Sequence, residues 1–411
     1  MVRGTRRVIA LAAVGCLFAA AGCGSSDDSG GGGGSSTGGG GSSGGQTIKV
    51  GQIVTEGGVV SFPVTARGAV KAVFDEVNAA GGVNGNKIDV TTINDAVNPQ
   101  NTTAATRKLI GDGVVAFVGG DSPYDCAVNN PLYAQAKVYS VGLGIAGACF
   151  GTPFYASVGN SPATTNAVLG KWASENIGPK ICIIGVNYPG FAPQFVGANK
   201  LLAGMGLKPT YQNTTISQTA NPSSTVLAAD RAGCQSAVTN LTPTQTVQAL
   251  QTVKRQGLKL KLMGASGLYS NLVLKGLGAG GEGFLLSAQM EPWHETTSRN
   301  QAYVDLMKKN NVGLDEFSTA AYISAMAFVE ALKSIKGEVT RESVGAALKK
   351  LQYKTTMLAE PFSFNAPAGP QGGNAPNVST KVLQIKGGKF DTISDWIGIP
   401  DNLRKDTVDF R

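Results

Sequence analysis

Apolar and polar positions switch between two periods along most of the chain, and the switching has an order. Ile48–Val54 is a short β-rich run, after which Val64, Ala69, Val70, Val73, Phe74 and Val77 recur at the spacing of one helix face within residues 63–80. Gly81-Gly82 ends that helix, Asn84-Gly85 turns the chain, and Lys87–Ile93 reads as a second strand. Asn98-Pro99 opens a helix through Ile110 that leads into a strand at Val114–Val118, and Asp125–Ala136 with Val138–Gly142 adds one more helix and strand. Strand and helix alternating in this way predict a doubly wound α/β sheet with parallel strands over residues 47–142.

A second series begins beyond Tyr155–Pro162. Strands are expected at Lys180–Val186, Lys208–Thr215, Ser236–Leu241, Leu260–Gly264 and Gly283–Ala288, with helices at Phe191–Met205, Thr225–Ala232, Thr244–Gln256 and after Tyr269. Helical stretches at Arg299–Asn310, Thr319–Ile335 and Thr340–Leu351 follow, and two late strands, Ala359–Phe364 and Lys381–Lys386, complete the pattern. Two such sheets in tandem imply a cleft, because ligands of open α/β sheets sit beyond the carboxyl ends of the strands, where loops and helix N-termini converge.

The amino-terminal segment changes the picture. Arg3, Arg6 and Arg7 precede an apolar Val8–Ala21, and Ala20-Ala21-Gly22-Cys23 places a cysteine behind small residues, so residues 1–22 read as an export signal. The pattern resembles a bacterial lipoprotein box, which implies cleavage before Cys23 and lipid on its thiol and new amino terminus. The chain would then be tied to the cell membrane from outside. Gly24–Gly45 is almost entirely Gly and Ser, so residues 23–46 are expected to form a flexible tether. Without the signal the net charge is +5, and no Lys/Arg cluster or basic-aromatic stripe accompanies it, which argues against a nucleic-acid partner. No later apolar run approaches the ~20 residues of a bilayer span.

Many segments in order resemble one family: the extracytoplasmic solute-binding proteins of ABC importers, of the type that binds leucine, isoleucine and valine. The resemblance covers about residues 47–400. It is carried by Ile48-Lys49-Val50-Gly51-Gln52-Ile53, by Phe74-Asp75-Glu76-Val77-Asn78-Ala79-Ala80-Gly81-Gly82-Val83-Asn84-Gly85, and by Asn94-Asp95 leading to Asn98-Pro99. Asp112-Gly113-Val114-Val115-Ala116-Phe117-Val118-Gly119, Arg255-Gln256-Gly257-Leu258-Lys259 and Ala320-Ala321-Tyr322 extend it. It implies two lobes joined by three crossovers, near Ala156–Gly159, Ala288–Met290 and Thr356–Leu358. Lobe 1 would comprise residues 47–157 and 289–356, and lobe 2 residues 158–288 and 357–411. A small solute would lie between them, trapped by hinge closure, and pass to a permease and its ATPase. A monomer is expected. A sensory ectodomain reporting occupancy to a signalling receptor is the alternative.

The resemblance also implies where contacts lie. Hydroxyls and backbone N–H groups of lobe 1 loops would hold a ligand carboxylate, at Asp121, Ser122, Pro123 and Tyr124 and at Gly144 and Ala146, with Phe62 in the loop after the first strand. Tyr188 would lie over the ligand, with Thr242 and Ser266 from other lobe 2 loops. Two departures stand out: the hydroxyl expected near Ala146 is absent, and Ser266-Gly267 stand where an acid would meet a ligand ammonium. Glu56, Asp121 or Glu291 are the substitutes within reach, and Trp293 is a further candidate for the cleft wall.

Cys16 leaves with the signal and Cys23 takes the lipid, so Cys126, Cys149, Cys182 and Cys234 remain in an oxidising exterior and suggest two disulfides. Three pairings are open; Cys126–Cys149 with Cys182–Cys234 is favoured because each bond then falls within one lobe. The single histidine, His294, and the lack of any CxxC spacing argue against a metal site. There is no P-loop and no GxGxxG after the first strand, so no cofactor is expected. Gly120-Asp121-Ser122 resembles the nucleophile motif of a secreted esterase family, but a serine nucleophile needs a base held by an acid, and only His294 is available. A secreted serine hydrolase is therefore the remote reading, and an enzyme is not expected.

Overall fold

Strand β1 (Thr47–Val54), helix α1 (Ala66–Ala79), β2 (Lys87–Asn94), α2 (Pro99–Gly111), β3 (Ala116–Val118), α3 (Asp125–Ala136), β4 (Tyr139–Gly142) and β5 (Tyr155–Ser157) open the computed structural model of the protein. The structure describes residues 45–56, 64–188, 191–364 and 374–408. The expected signal, the lipid-bearing Cys23, nearly all of the tether and Phe62 lie outside these residues. Among the described residues the five strands pair in parallel in the order β2-β1-β3-β4-β5. The order turns back between β1 and β3, so the loops that follow these strands diverge to opposite faces and leave a crevice at their carboxyl ends.

Local chemistry sets the boundaries. The Asn98 side chain accepts from the N–H groups of Gln100 and Asn101, and Pro99 fills the first helical position where no N–H is needed, so α2 starts there. At the end of α1, Gly82 takes φ +79°, and a Cβ on it would meet the Asn86 carbonyl oxygen at 2.1 Å, so only glycine fits the turn into β2.

A second run of elements follows: α4 (Pro162–Asn176), β6 (Ile181–Val186), α5 (Ala192–Gly204), β7 (Tyr211–Ile216), α6 (Ser223–Arg231), β8 (Ser236–Asn240), α7 (Pro243–Arg255), β9 (Lys261–Gly264), α8 (Asn271–Leu277) and β10 (Leu285–Ala288). Helices α9 (Gln301–Lys309), α10 (Glu316–Lys333) and α11 (Arg341–Lys350) come next, then β11 (Gln352–Tyr353), β12 (Phe362–Ser363), β13 (Ser379–Lys386), β14 (Lys389–Thr392) and β15 (Ile397–Gly398). The second sheet runs β14-β13-β10-β9-β8-β6-β7, with β15 on β13. Its β6 to β10 portion is parallel, and β13, β14 and β15 pair antiparallel. Helix α10 packs on α1 and touches β3 and β4, so the late helices return to the first sheet. Phe74 of α1 meets Phe328 of α10 at 6.2 Å between ring centroids.

Four departures from the sequence reading have physical causes. Helix α4 has no amphipathic stripe, because Ala163 to Gly170 are all buried, including Thr164, Thr165 and Asn166; with no polar face the helical period is erased. Strand β5 is three residues long, too short to show a period. Helix α10 begins three residues before the expected Thr319, because Asp315 caps it, accepting from Ser318 N at 2.8 Å. Residues 362–363 do not join the large second sheet: β12 pairs with β11, and Phe364 packs edge-on against Tyr139 of β4 at 5.7 Å.

Side-chain amides hold together the segments that pass between the sheets. Asn377 donates to the carbonyls of Val158 (3.1 Å) and Gln289 (2.8 Å), Asn160 donates to Ser379 O (3.0 Å), and Gln289 Oε1 accepts from Asn160 N (2.7 Å). By these contacts the third passage runs through residues 374–378 and not through Thr356–Leu358. Glu316 reaches the same place, its Oε1 accepting from Gln289 N at 3.0 Å, and complete burial raises its carboxyl to about 8.

Candidate functional site

The first-sheet side of the crevice is built from two loops stapled together. Beyond β3 the chain runs through Gly119 to Tyr124 into α3, and beyond β4 it runs through Leu143 to Ala146 into a single helical turn. Leu143 N donates to Gly120 O at 2.9 Å, and a disulfide joins Cys126 to Cys149 with Cα atoms 4.9 Å apart. Gly144 N donates to Ser157 Oγ at 2.9 Å, and a Cβ on Gly144 would come within 2.8 Å of Cys149 Cβ, so this close approach needs glycine.

Beneath these loops lies a buried polar knot. Asp95 accepts from Thr55 Oγ1 (2.7 Å), Val97 N (3.0 Å), Thr102 Oγ1 (2.8 Å) and Ser122 Oγ. Asp121 accepts from Thr55 N at 3.0 Å, and burial pushes its carboxyl up to about 8, so it is mostly protonated at neutral pH. Asp125 accepts from Asn129 (2.8 Å) and Tyr133 (2.6 Å); burial still raises it, to about 6.

The second-sheet side is built from strand ends and helix starts. After β6, Tyr188 and Phe191 pair their rings at 5.2 Å, and Phe191 leads into α5. After β8, Thr242 caps α7 in a reciprocal box with Gln245, whose amide also donates to Ser217 O and Ala220 O at 2.9 Å. After β9, Ser266 opens a single helical turn. The second disulfide, Cys182–Cys234, bridges the opposite, amino-terminal ends of β6 and β8.

Between the two sides lies a cavity of about 170 Å³. Of the residues expected to touch ligand, Pro123, Tyr124, Gly144, Tyr188, Thr242 and Ser266 are on its wall. Four others are placed elsewhere. Ser122 turns its hydroxyl inward to Asp95, Asp121 points to the Thr55 amide, and Ala146 is buried beside the disulfide. Glu291 is buried behind the passage between the sheets, paired with Lys381 at 3.0 Å and Arg299 at 3.5 Å. Glu56 is likewise committed, held in a two-pronged pair by Arg67 at 2.8 and 2.9 Å. Trp293 stacks on Tyr269 at 4.6 Å away from the cavity, and His294 Nδ1 is bonded to the Tyr269 hydroxyl at 2.5 Å while Ser122 is bonded to Asp95, so the two belong to separate networks. Burial lowers the His294 pKa. Among the described residues no cluster of His, Cys, Asp or Glu has the makings of a metal site.

The wall also carries residues that the sequence reading did not single out: Leu143, Ile145, Asn160, Phe191, Asn240, Gln289 and Phe317 among them. Leu143, Ile145, Phe191 and Asn240 follow or flank ends of parallel strands, a signal that was available. Asn160, Gln289 and Phe317 owe their place to the passages between sheets, and no local pattern marks that. Among the described residues no Asp, Glu, Lys or Arg contributes to the wall.

Two mainly parallel α/β sheets, joined by passages whose side chains also line the cavity between them, have the architecture of a bilobal solute-binding protein. Residues 47–389 match the family model described as periplasmic binding protein, and the chain belongs to that family. The Leu/Ile/Val-binding protein homolog 2 of Brucella abortus (strain 2308) is 24% identical over 349 residues, which cover 82% of this chain and 90% of the relative. The structure of a branched-chain amino acid ABC transporter protein from Thermus thermophilus with bound valine superposes with a TM-score of 0.73 at 18% identity, covering 88% of this chain and 99% of that one. A solute-binding protein of an ABC transporter from R. palustris, in complex with 4-hydroxybenzoate, gives a TM-score of 0.71 at 20% identity, covering 87% and 98%.

Proposed function

We propose that this chain is the lipid-anchored, extracytoplasmic substrate-binding component of an ABC importer, acting as a monomer without chemistry of its own. It captures a small solute between its lobes and hands it to a permease and its ATPase. The observation that carries this reading is the cavity walled by loops of both sheets: a solute there touches both lobes at once and so favours the closed arrangement by its differential contacts. The relatives' ligands, valine and 4-hydroxybenzoate, are both small carboxylates, and a solute of that kind suits the cavity. Cys23 supplies the attachment. No helix of the described residues is long and apolar enough to cross a membrane, so attachment through Cys23 does not compete with a described span.

A thermal-shift screen of small carboxylates, amino acids, amides, sugars and short peptides tests the capture step. A solute at a ~100-fold excess over Kd stabilises the folded state by roughly 2.7 kcal/mol and raises the midpoint visibly. Failure of every class would end the solute-binding reading. Attachment is tested separately: Cys23→Ala should move the protein from the membrane fraction into the soluble fraction, and unchanged retention would remove the lipid anchor.

A further inference from the structure

We propose that the cavity is built for a small carboxylate that carries no ammonium group, its anionic end clamped between the phenols of Tyr124 and Tyr188 and its apolar body against Leu143, Ile145 and Phe191. This inference rests on the solute-binding reading and narrows it.

The first ground is charge. A free amino acid brings one negative and one positive group, and burying the ammonium requires an acid or a set of acceptors in place of water. The described wall holds no Asp, Glu, Lys, Arg or His, and its acceptors are neutral, the buried and unpartnered amide oxygen of Asn160 among them. The internal stretches outside the described residues, 57–63, 189–190 and 365–373, contain no Asp, Glu, Lys or Arg either. Every acid near the crevice is spent or neutral. Asp95 has four donors, Glu56 has Arg67, Glu291 has Lys381 and Arg299, and burial holds Asp121 and Glu316 protonated around pH 7.

The second ground is the disposition of donors. Tyr124 comes from the first-sheet side and Tyr188 from the second, and neither phenol hydroxyl has a hydrogen-bond partner among the described residues. Each offers an O–H to a ligand, one from each lobe. Six helices also start at the wall: α3 after Tyr124, α4 at Pro162, α5 after Phe191, α7 after Thr242, the short α8 after Ser270 and α10 at Phe317 and its neighbour. Helix starts carry partial positive charge, and those of α3 and α5 lack any side-chain cap. Their N–H groups add donors at the wall, although Asp125 at the first position of α3 and Asp315 capping α10 offset part of that positive charge. The apolar side chains between them complete a wall suited to a hydrocarbon or aromatic body.

Matched probes test it by calorimetry on the purified chain: phenylacetate, phenylglycine and phenylacetamide, and 4-methylpentanoate, leucine and 4-methylpentanamide. Within each set the skeleton is constant while the ammonium is added or the negative charge removed. The carboxylate of at least one set should bind tenfold or more tighter than both of its partners. Tyr124→Phe and Tyr188→Phe, which keep the rings and so the packing, should each weaken that carboxylate about tenfold and leave the amide unchanged. An amino acid binding as tightly as its matched carboxylate overturns the proposal while leaving solute binding in place. An amide binding as tightly as its carboxylate overturns the anion clamp, and so do Phe variants of unchanged affinity. If neither set binds, the proposal falls, and the wider thermal-shift screen then decides the fate of the solute-binding reading independently.

Discussion

The two disulfides sit at opposite ends of their sheets. Cys126–Cys149 spans 23 residues and joins the loops that lead directly from Tyr124 and Ile145 on the cavity wall, at the carboxyl end of the first sheet. Cys182–Cys234 spans 52 residues and ties the amino ends of β6 and β8, a full strand length from the cavity. The first-sheet wall is thus covalently stapled and rests on the Asp95 knot. The second-sheet wall is held by a capping box, an aromatic pair and the ends of helices. If the lobes close on a solute as proposed, the stapled wall would present the more fixed geometry.

This difference can be broken from both sides. Replacing Cys182 and Cys234 by Ala frees the longer loop and should cost about 4 kcal/mol of stability by the chain-entropy relation, with the affinity of the folded protein unchanged. Replacing Cys126 and Cys149 by Ala should cost less, about 3 kcal/mol, yet weaken the ligand found by the screen. Denaturant unfolding and calorimetry on both variants measure the two quantities, and equal effects on affinity would erase the distinction between the walls. Asp95→Ala strips an acceptor from three hydroxyls and an amide and should cost about 2 kcal/mol, again with weakened binding because Ser122 and Val97 lose their anchor beside the cavity.

On the other side, Tyr188→Ala removes the hydroxyl together with a half-buried ring that packs on Phe191 and should weaken ligand by more than tenfold, that is by more than about 1.4 kcal/mol, with the free protein still folded. Undiminished binding would take Tyr188 out of the site. The smallest effect belongs to the passages between the sheets. Glu316 has its carboxyl raised from 4.5 to about 8, so between those values the unfolded chain releases a proton that the folded protein keeps. Stability attributable to this group is therefore complete below pH 4.5, falls as pH rises toward 8 and then levels. Glu316→Gln keeps the acceptor for Gln289 N and removes the titration. It should flatten that slope and add about 1 kcal/mol at pH 7, the gain being limited by the buried amide's unpaired N–H groups. Unfolding measured at pH 5 and pH 8 would show it, and an unchanged slope would mean that Glu316 stays ionised.

How much was legible follows from what each feature depends on. The strand and helix order of both lobes was largely readable because the buried parallel strands stand out as short continuous apolar runs and the surface helices print their period between them. Helix α4 was not, because its first eight buried positions, Ala163 to Gly170, leave no polar face and print no period. Tyr188, Tyr124, Gly144, Thr242 and Ser266 could be nominated from loop position, since loops after parallel strands converge on one end of a sheet. Side-chain direction could not. Ser122 and Asp121 lie in such a loop, yet the hydroxyl turns to an acid 27 residues earlier and the carboxyl to an amide 66 residues earlier.

The sequence by itself determined the α/β class, the two-lobed series, the number of cysteines available for bonding and the family resemblance, because these rest on local period, spacing and residue type. Only the tertiary structure decided which cysteines met, where the third passage ran, and that every acid near the crevice was already engaged or neutral. Those outcomes depend on partners mostly tens to hundreds of residues apart, brought into contact by the packing of whole sheets.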